Sequence, residues 1–140
     1  MADENVQVVR DQFAATNARD FQRAMELYAQ DVTMNVRGGL NPGAFEGREA
    51  VGRWFGDWLG TFEPGYRFEI QEARDLGGGG VFLFATHGGR GRVSGAEVHG
   101  NTTYLYRVRE GQIVRVELFF NEQEGRAAAA SPEWSGAETD

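Results

Sequence analysis

The stretch YLYRVREGQIVRVELFFN, residues 104–121, decides the fold. Two runs that alternate apolar and polar residues flank Glu110-Gly111, a tight hairpin signal. In the second run Val114, Val116, Leu118 and Phe120 share one face; Ile113, Arg115, Glu117 and Phe119 share the other. In the first run Tyr104, Tyr106 and Val108 oppose Thr103, Leu105, Arg107 and Arg109. Both even-numbered sets are apolar, so both belong against a core. Simple geometry disagrees. A two-residue loop pairs Val108 with Ile113, hence Tyr104 with Glu117, and paired residues share a face. The even sets both turn inward only if one extra residue shifts the register. The pattern therefore predicts a β-bulge between Ile113 and Arg115. Without it, Glu117 would face the interior as the leading acid.

Upstream the period stays at two. Val81 to about Arg92 and Glu97 to Arg109 read as long strands, Gln112 to Asn121 as a third, and Tyr66, Phe68 and Ile70 mark the inner face of another. GGGG at 77–80 is a flexible connection. Before residue 66 the period is helical. Asp3 is an expected N-cap for a helix carrying Val6, Val9 and Phe13. Asp20 is an expected N-cap for a second, with Phe21, Ala24, Leu27 and Tyr28 as its stripe. Val32 to Val36 reads as a short strand and RGGLNPG (37–43) as a loop. GREAVGRWFGDWL (47–59) is a third amphipathic helix with Ala50, Val51, Trp54, Phe55 and Trp58 on one side. Glycines 52 and 56 weaken it, so packing must hold it. From Gly125 the chain turns small and polar and reads as a disordered tail. The expectation is one domain over 1–124 and a tail over 125–140.

Helices first and antiparallel strands after make an α+β pattern. The predicted architecture is a cone-shaped α+β barrel, with three N-terminal helices packed on the concave face of a curved, mostly antiparallel sheet. Such a cone holds a pocket for a small ligand.

Composition narrows the partners. The 140 residues carry a net charge of −7, which disfavours nucleic acid. There is no cysteine, so disulfides, thiolate nucleophiles and Cys-ligated metals are excluded. No apolar run is long enough to cross a membrane, and the acidic N-terminus has no secretory h-region, so a cytoplasmic protein is expected. The odd faces of the last strands still carry Leu105 and Phe119, and Phe82 and Phe84 alternate with Val81 and Leu83. A monomer would expose this patch, so a homodimer is expected.

The order helix, helix, LYAQDV (27–32), FEGREAV (45–51) and the closing hairpin resembles the SnoaL-like branch of the nuclear transport factor 2-like superfamily, over roughly residues 5–124. That group includes ketosteroid isomerases, limonene-epoxide hydrolases and polyketide cyclases. The resemblance implies the cone fold and a small-molecule pocket, and many relatives are dimers. It also implies where acids should stand. The steroid-isomerase base falls on Val36, its oxyanion tyrosine near Gln12 and its oxyanion aspartate on Tyr104. The epoxide-hydrolase tyrosine and asparagine fall on Met34 and Val36, its arginine and first aspartate on Ala85 and His87, and its second aspartate on Leu118. The polyketide-cyclase aspartate also falls on Leu118. These positions lack their central acid.

His87, at the end of VFLFATHGG (81–89), is the ionisable group that remains. As a base its ordinary pKa of about 6.5 suits proton transfer near neutrality, given a partner such as Tyr104 or Asn121. As an ordinary residue it would close a strand against backbone or water. His87 and Tyr104 are the candidate catalytic pair. Phe13, Tyr28, Met34, Val36, Trp54, Trp58, Ala85, Leu118 and Phe120 are the candidate pocket lining. No metal and no cofactor is expected: His87 and His99 lack ligand spacing. HGGRGRVSG (87–95) is a hairpin tip that carries Arg90 and Arg92 toward the pocket mouth. Two function classes follow. One is an isomerase, cyclase or hydrolase acting on a hydrophobic compound by general acid–base chemistry. The other is a non-catalytic ligand-binding or dimeric association domain.

Overall fold

The structure, a computed structural model, describes residues 2–39 and 41–135. Its elements are α1 (Ala2–Asn17), α2 (Phe21–Glu26), β1 (Tyr28–Arg37), β2 (Gly43–Glu46), α3 (Arg48–Gly60), β3 (Arg67–Gly77), β4 (Gly80–Arg90), β5 (Glu97–Arg109), β6 (Gln112–Phe119), α4 (Glu122–Ala129) and α5 (Pro132–Ser135). The sheet order is β2-β1-β6-β5-β4-β3. Among the described residues, the β1–β6 pairing is parallel and the other four strand pairings are antiparallel. Among the described residues no helix is long and apolar enough to cross a membrane.

The closing hairpin carries the expected bulge. Val108 pairs with Ile113, but Arg107 pairs with Arg115, Tyr106 with Val116 and Tyr104 with Leu118. Val114 is the extra residue. It keeps Tyr104, Tyr106, Val116 and Leu118 on the concave face, where they join one core with Val9 and Phe13 of α1, Val51 and Trp54 of α3, and Val81, Leu83 and Ala85 of β4. Burial of each such side chain stabilises the fold by roughly 1.5–3 kcal/mol. Glu117 therefore lies on the convex face, opposite Leu105.

Several boundaries differ from the sequence reading. Asp3 sits inside the first turn of α1 and does not cap it. Asp20 does cap α2, accepting from the Arg23 backbone N–H at 3.2 Å. That helix stops at Glu26, and Tyr28 opens β1. β2 was not anticipated; its four residues are too short to show a period.

The largest correction concerns the C-terminal segment. Residues 125–135 are not a loose tail. Asn121 caps α4, accepting from the Glu124 backbone N–H at 3.0 Å. α4 then lies flat on the convex face. A β-carbon at Gly125 would stand 2.4 Å from Thr103 Cγ2, so only glycine allows this approach. Ala129 and Trp134 close over Phe82, Leu105 and Phe119, with Leu76, Phe84 and Ala128 at the margin. Residues 136–140 lie outside the described residues. The greasy convex patch that motivated the expected homodimer is thus covered within the chain. Phe82 and Leu105 are fully buried and Trp134 is 2 % exposed. Arginines hold the cover down. Arg107 and Arg115 stand 4.6 and 4.7 Å from the Trp134 ring centroid, and Arg126 stands over Phe82 at 5.0 Å.

Candidate functional site

His87 follows Val81, Leu83 and Ala85 on the concave face of β4, opposite Phe68 of β3 and Gly100 of β5. A β-carbon at Gly100 would lie 2.7 Å from His87 Cε1, so glycine there lets the imidazole rest against β5. The ring is boxed by Trp58, edge-on with centroids 5.4 Å apart, and by Tyr66 and Phe68. Its Nδ1 hydrogen-bonds the Tyr66 hydroxyl at 2.5 Å. Either tautomer leaves Nε2 buried without a partner. Burial pushes the His87 pKa down. Burial pushes Tyr66 far above the usual phenol range, with the Trp58 indole N–H opposing it. At neutral pH the pair is an uncharged imidazole and a protonated phenol.

Tyr104, the other expected catalytic residue, is turned elsewhere. Its hydroxyl accepts from Thr102 Oγ1 at 3.0 Å. Asn121, the alternative partner, serves as the cap of α4. The structure brings His87 to Tyr66, which the sequence reading did not assign to the site. The signal was present: Tyr66 stands two residues ahead of Phe68, just before β3, and Phe68 pairs with His87.

Of the nine expected lining residues, Phe13, Tyr28, Met34, Val36, Trp54, Ala85 and Leu118 are buried together in the core, with Trp58 and Phe120 packed on it. Trp58 fills the mouth of the cone. Its ring meets Trp54, Phe55, Phe68, His87 and Phe120 at centroid distances of 5.3, 6.1, 5.3, 5.4 and 5.8 Å.

Open space borders His87, where Arg67, Phe68, Thr86 and Gly100 line a depression of about 480 Å³, and it also lies between the helices. A groove of about 520 Å³ runs between α1, α2 and α3, within the usual size range of ligand pockets. Phe21, Met25, Phe55 and Leu59 supply apolar walls, with Gln12 and Thr16 on the α1 side. Phe21 stands at 47 % exposure, unusual for a large apolar side chain. Gly52, Gly56 and Gly60 line the α3 side, one per turn. A β-carbon at Gly56 or Gly60 would meet no atom within 4 Å. Glycines that weaken α3 therefore also hollow the groove. Of the expected lining, Tyr28 alone reaches it. Tyr28 is 1 % exposed, and its hydroxyl is buried with no hydrogen-bond partner. Arg92, expected at a pocket mouth, does border the groove. It donates to the Gly60 and Phe62 carbonyls, each at 3.1 Å.

The remaining candidates lie apart. Arg90 donates to the Gly95 carbonyl within the hairpin tip. His99 is exposed on the convex side, 3.9 Å from Glu97. Among the described residues no group of three His, Cys, Asp or Glu side chains could hold a metal ion.

The fold and the cone interior define a class, and comparison with known proteins agrees. The chain belongs to the SnoaL-like domain family, which matches residues 9–116. A search of curated proteins found no match. Among solved structures, Bal32a from a soil-derived mobile gene cassette is similar, at 19 % identity and TM-score 0.78, covering 89 % of this chain and 95 % of that one. A candidate polyketide cyclase from Xanthomonas campestris pv. campestris is similar at 20 % identity and TM-score 0.71, covering 90 % and 96 %. TerC, co-crystallised with polyporic acid, is similar at 17 % identity and TM-score 0.72, covering 91 % and 99 %. At these identities the likeness is one of fold. The family match ends at residue 116, ahead of α4 and α5.

Proposed function

We propose that this SnoaL-like domain binds a hydrophobic small molecule in the groove between α1, α2 and α3, with the Tyr28 hydroxyl as its hydrogen-bond anchor. The observation that carries this is that Tyr28, whose hydroxyl is buried and unpartnered, is among the residues lining a groove with apolar walls. An unsatisfied buried polar group costs about 1–3 kcal/mol, so a persistent one calls for a ligand partner. The co-crystallisation of TerC with polyporic acid adds the precedent of a small molecule presented to the same fold. The positions where related enzymes keep acids are Val36 and Leu118, buried and apolar. Among the described residues, no carboxylate and no histidine borders the groove. Binding rather than proton transfer is what these walls equip it to do.

A second reading rests on one specific observation. His87 is uncharged at neutral pH, aligned by Tyr66, and has a buried Nε2 without a partner. That is the arrangement of an acid–base or hydrogen-bonding catalytic imidazole. It would act on a substrate only if Trp58 moved off the ring.

Tyr28→Phe separates the anchor from the fold. The unliganded variant is expected to be about 1 kcal/mol more stable than the wild type, because no hydrogen bond is lost and an unsatisfied hydroxyl leaves. A ligand selected by thermal shift on the wild type is expected to bind the variant about tenfold more weakly by calorimetry. Equal affinities would remove Tyr28 from binding.

A further inference from the structure

The bulge at Val114 does more than turn apolar residues inward. It sets Arg115 directly opposite Arg107 on the convex face. Like charges directly opposite across a strand pair are destabilising, and a bulge is a common device for re-aiming a side chain at a site. Arg109 lies two residues along β5 on the same face. Thr33 of β1 pairs with Arg115 from the other side. These four residues, with Gly78 and Val114, line one depression of about 650 Å³. Three guanidinium groups thus converge in a chain of net charge −7.

The carboxylates nearby occupy only part of this charge. Glu133 of α5 reaches Arg115 Nη1 at 2.6 Å, and Glu117 reaches Arg115 Nε at 3.3 Å. Arg107 spends its contacts on backbone carbonyls, those of Gly78 and Glu133, each at 3.0 Å. The Arg109 side chain makes no hydrogen bond or ion pair with any described residue, although its backbone pairs with Gln112. Burial, and then the charges of Arg115 and Arg109, pull the Arg107 pKa below its ordinary value. The depression already draws one internal anion, Glu133, to its edge.

We propose that Arg107, Arg109, Arg115 and Thr33 form a binding site for a compact, multiply charged oxyanion of the phosphate type. Guanidinium forks match phosphate oxygens in pairs, and a hydroxyl adds a further donor. The site is separate from the groove between the helices and takes a different ligand chemistry. Glu133 is its internal competitor.

Isothermal titration of the full chain with inorganic pyrophosphate at low ionic strength tests this. Saturable binding is expected, weakened about tenfold by Arg109→Gln. The Arg109 side chain has no hydrogen bond or ion pair with a described residue to lose, and glutamine leaves its backbone pairing with Gln112 in place, so that variant is expected to keep its fold. Glu133→Gln, which removes the competitor, is expected to tighten binding about threefold. Affinity should fall steeply as salt is added. Sedimentation with vesicles containing phosphatidate distinguishes the source. Co-sedimentation that Arg109→Gln abolishes names a lipid headgroup; pyrophosphate binding without it names a soluble phosphate. No saturable pyrophosphate binding, or equal affinity in wild type and Arg109→Gln, overturns the proposal.

Discussion

Replacing Trp134 with alanine is expected to destabilise the protein by about 3–5 kcal/mol, the usual cost of truncating a large buried aromatic. Trp134 is 2 % exposed and sits over the convex patch with Ala129. Its loss removes the contact surface for Phe82, Leu105 and Phe119 together with the two arginine–ring contacts. α5 has only four residues, too short to persist without packing. The variant should therefore expose the patch as well as weaken the fold, and should gain binding of an apolar dye. Urea denaturation checks the first and dye fluorescence the second. A loose C-terminal tail would give a change within about 0.5 kcal/mol.

Glu117→Ala is expected to cost about 2–3 kcal/mol. The Glu117 side chain is 3 % exposed and accepts from Asn35 Nδ2 at 3.1 Å, Arg37 Nε and Nη2 at 3.1 and 3.0 Å, and Arg115 Nε at 3.3 Å. Breaking a fully buried ion pair costs about 3–5 kcal/mol because the surviving charge is stranded. Here Arg37 is 56 % exposed, so water takes over part of its solvation and the cost falls below that range. Glu117→Gln keeps the shape and one acceptor oxygen, and should lose about half as much. Urea denaturation of the three proteins at neutral pH checks this ordering. Equal stabilities would mean that the carboxylate contributes nothing to holding β1 on β6.

The sequence of the final hairpin was unusually informative because two local rules contradicted each other. Alternation demanded that Tyr104 and Leu118 share a face, loop length forbade it, and a bulge was the one reconciliation; the structure contains it at Val114. The same arithmetic put Glu117 outside. The C-terminal cover escaped notice for the opposite reason. A helix that must lie against sheet backbone needs Gly125, Ala128 and Ala129, and residues that small give it no stripe of large apolar side chains. Its anchoring Trp134 stands alone. The groove was also hidden, since it is shaped by side chains that are missing. Gly52 and Gly56 read only as weak points in α3, and Tyr28 read as helical until β1 claimed it. His87 could be read only as a base or as an ordinary strand end, and its hydrogen-bond partner proved to be Tyr66, just ahead of β3, rather than Tyr104.

The proposed ligand site is the groove between the helices and not the cone interior at His87. The most direct measurement is a calorimetric titration of one selected hydrophobic ligand into wild type, Gly56→Leu and His87→Ala. A β-carbon at position 56 meets no atom within 4 Å, so a leucine there is expected to extend into the groove and take up part of its space. Gly56→Leu is expected to weaken binding at least about tenfold, and His87→Ala to leave it unchanged. Undiminished binding in Gly56→Leu together with lost binding in His87→Ala would contradict that expectation, and would place the ligand beneath Trp58 in the cone.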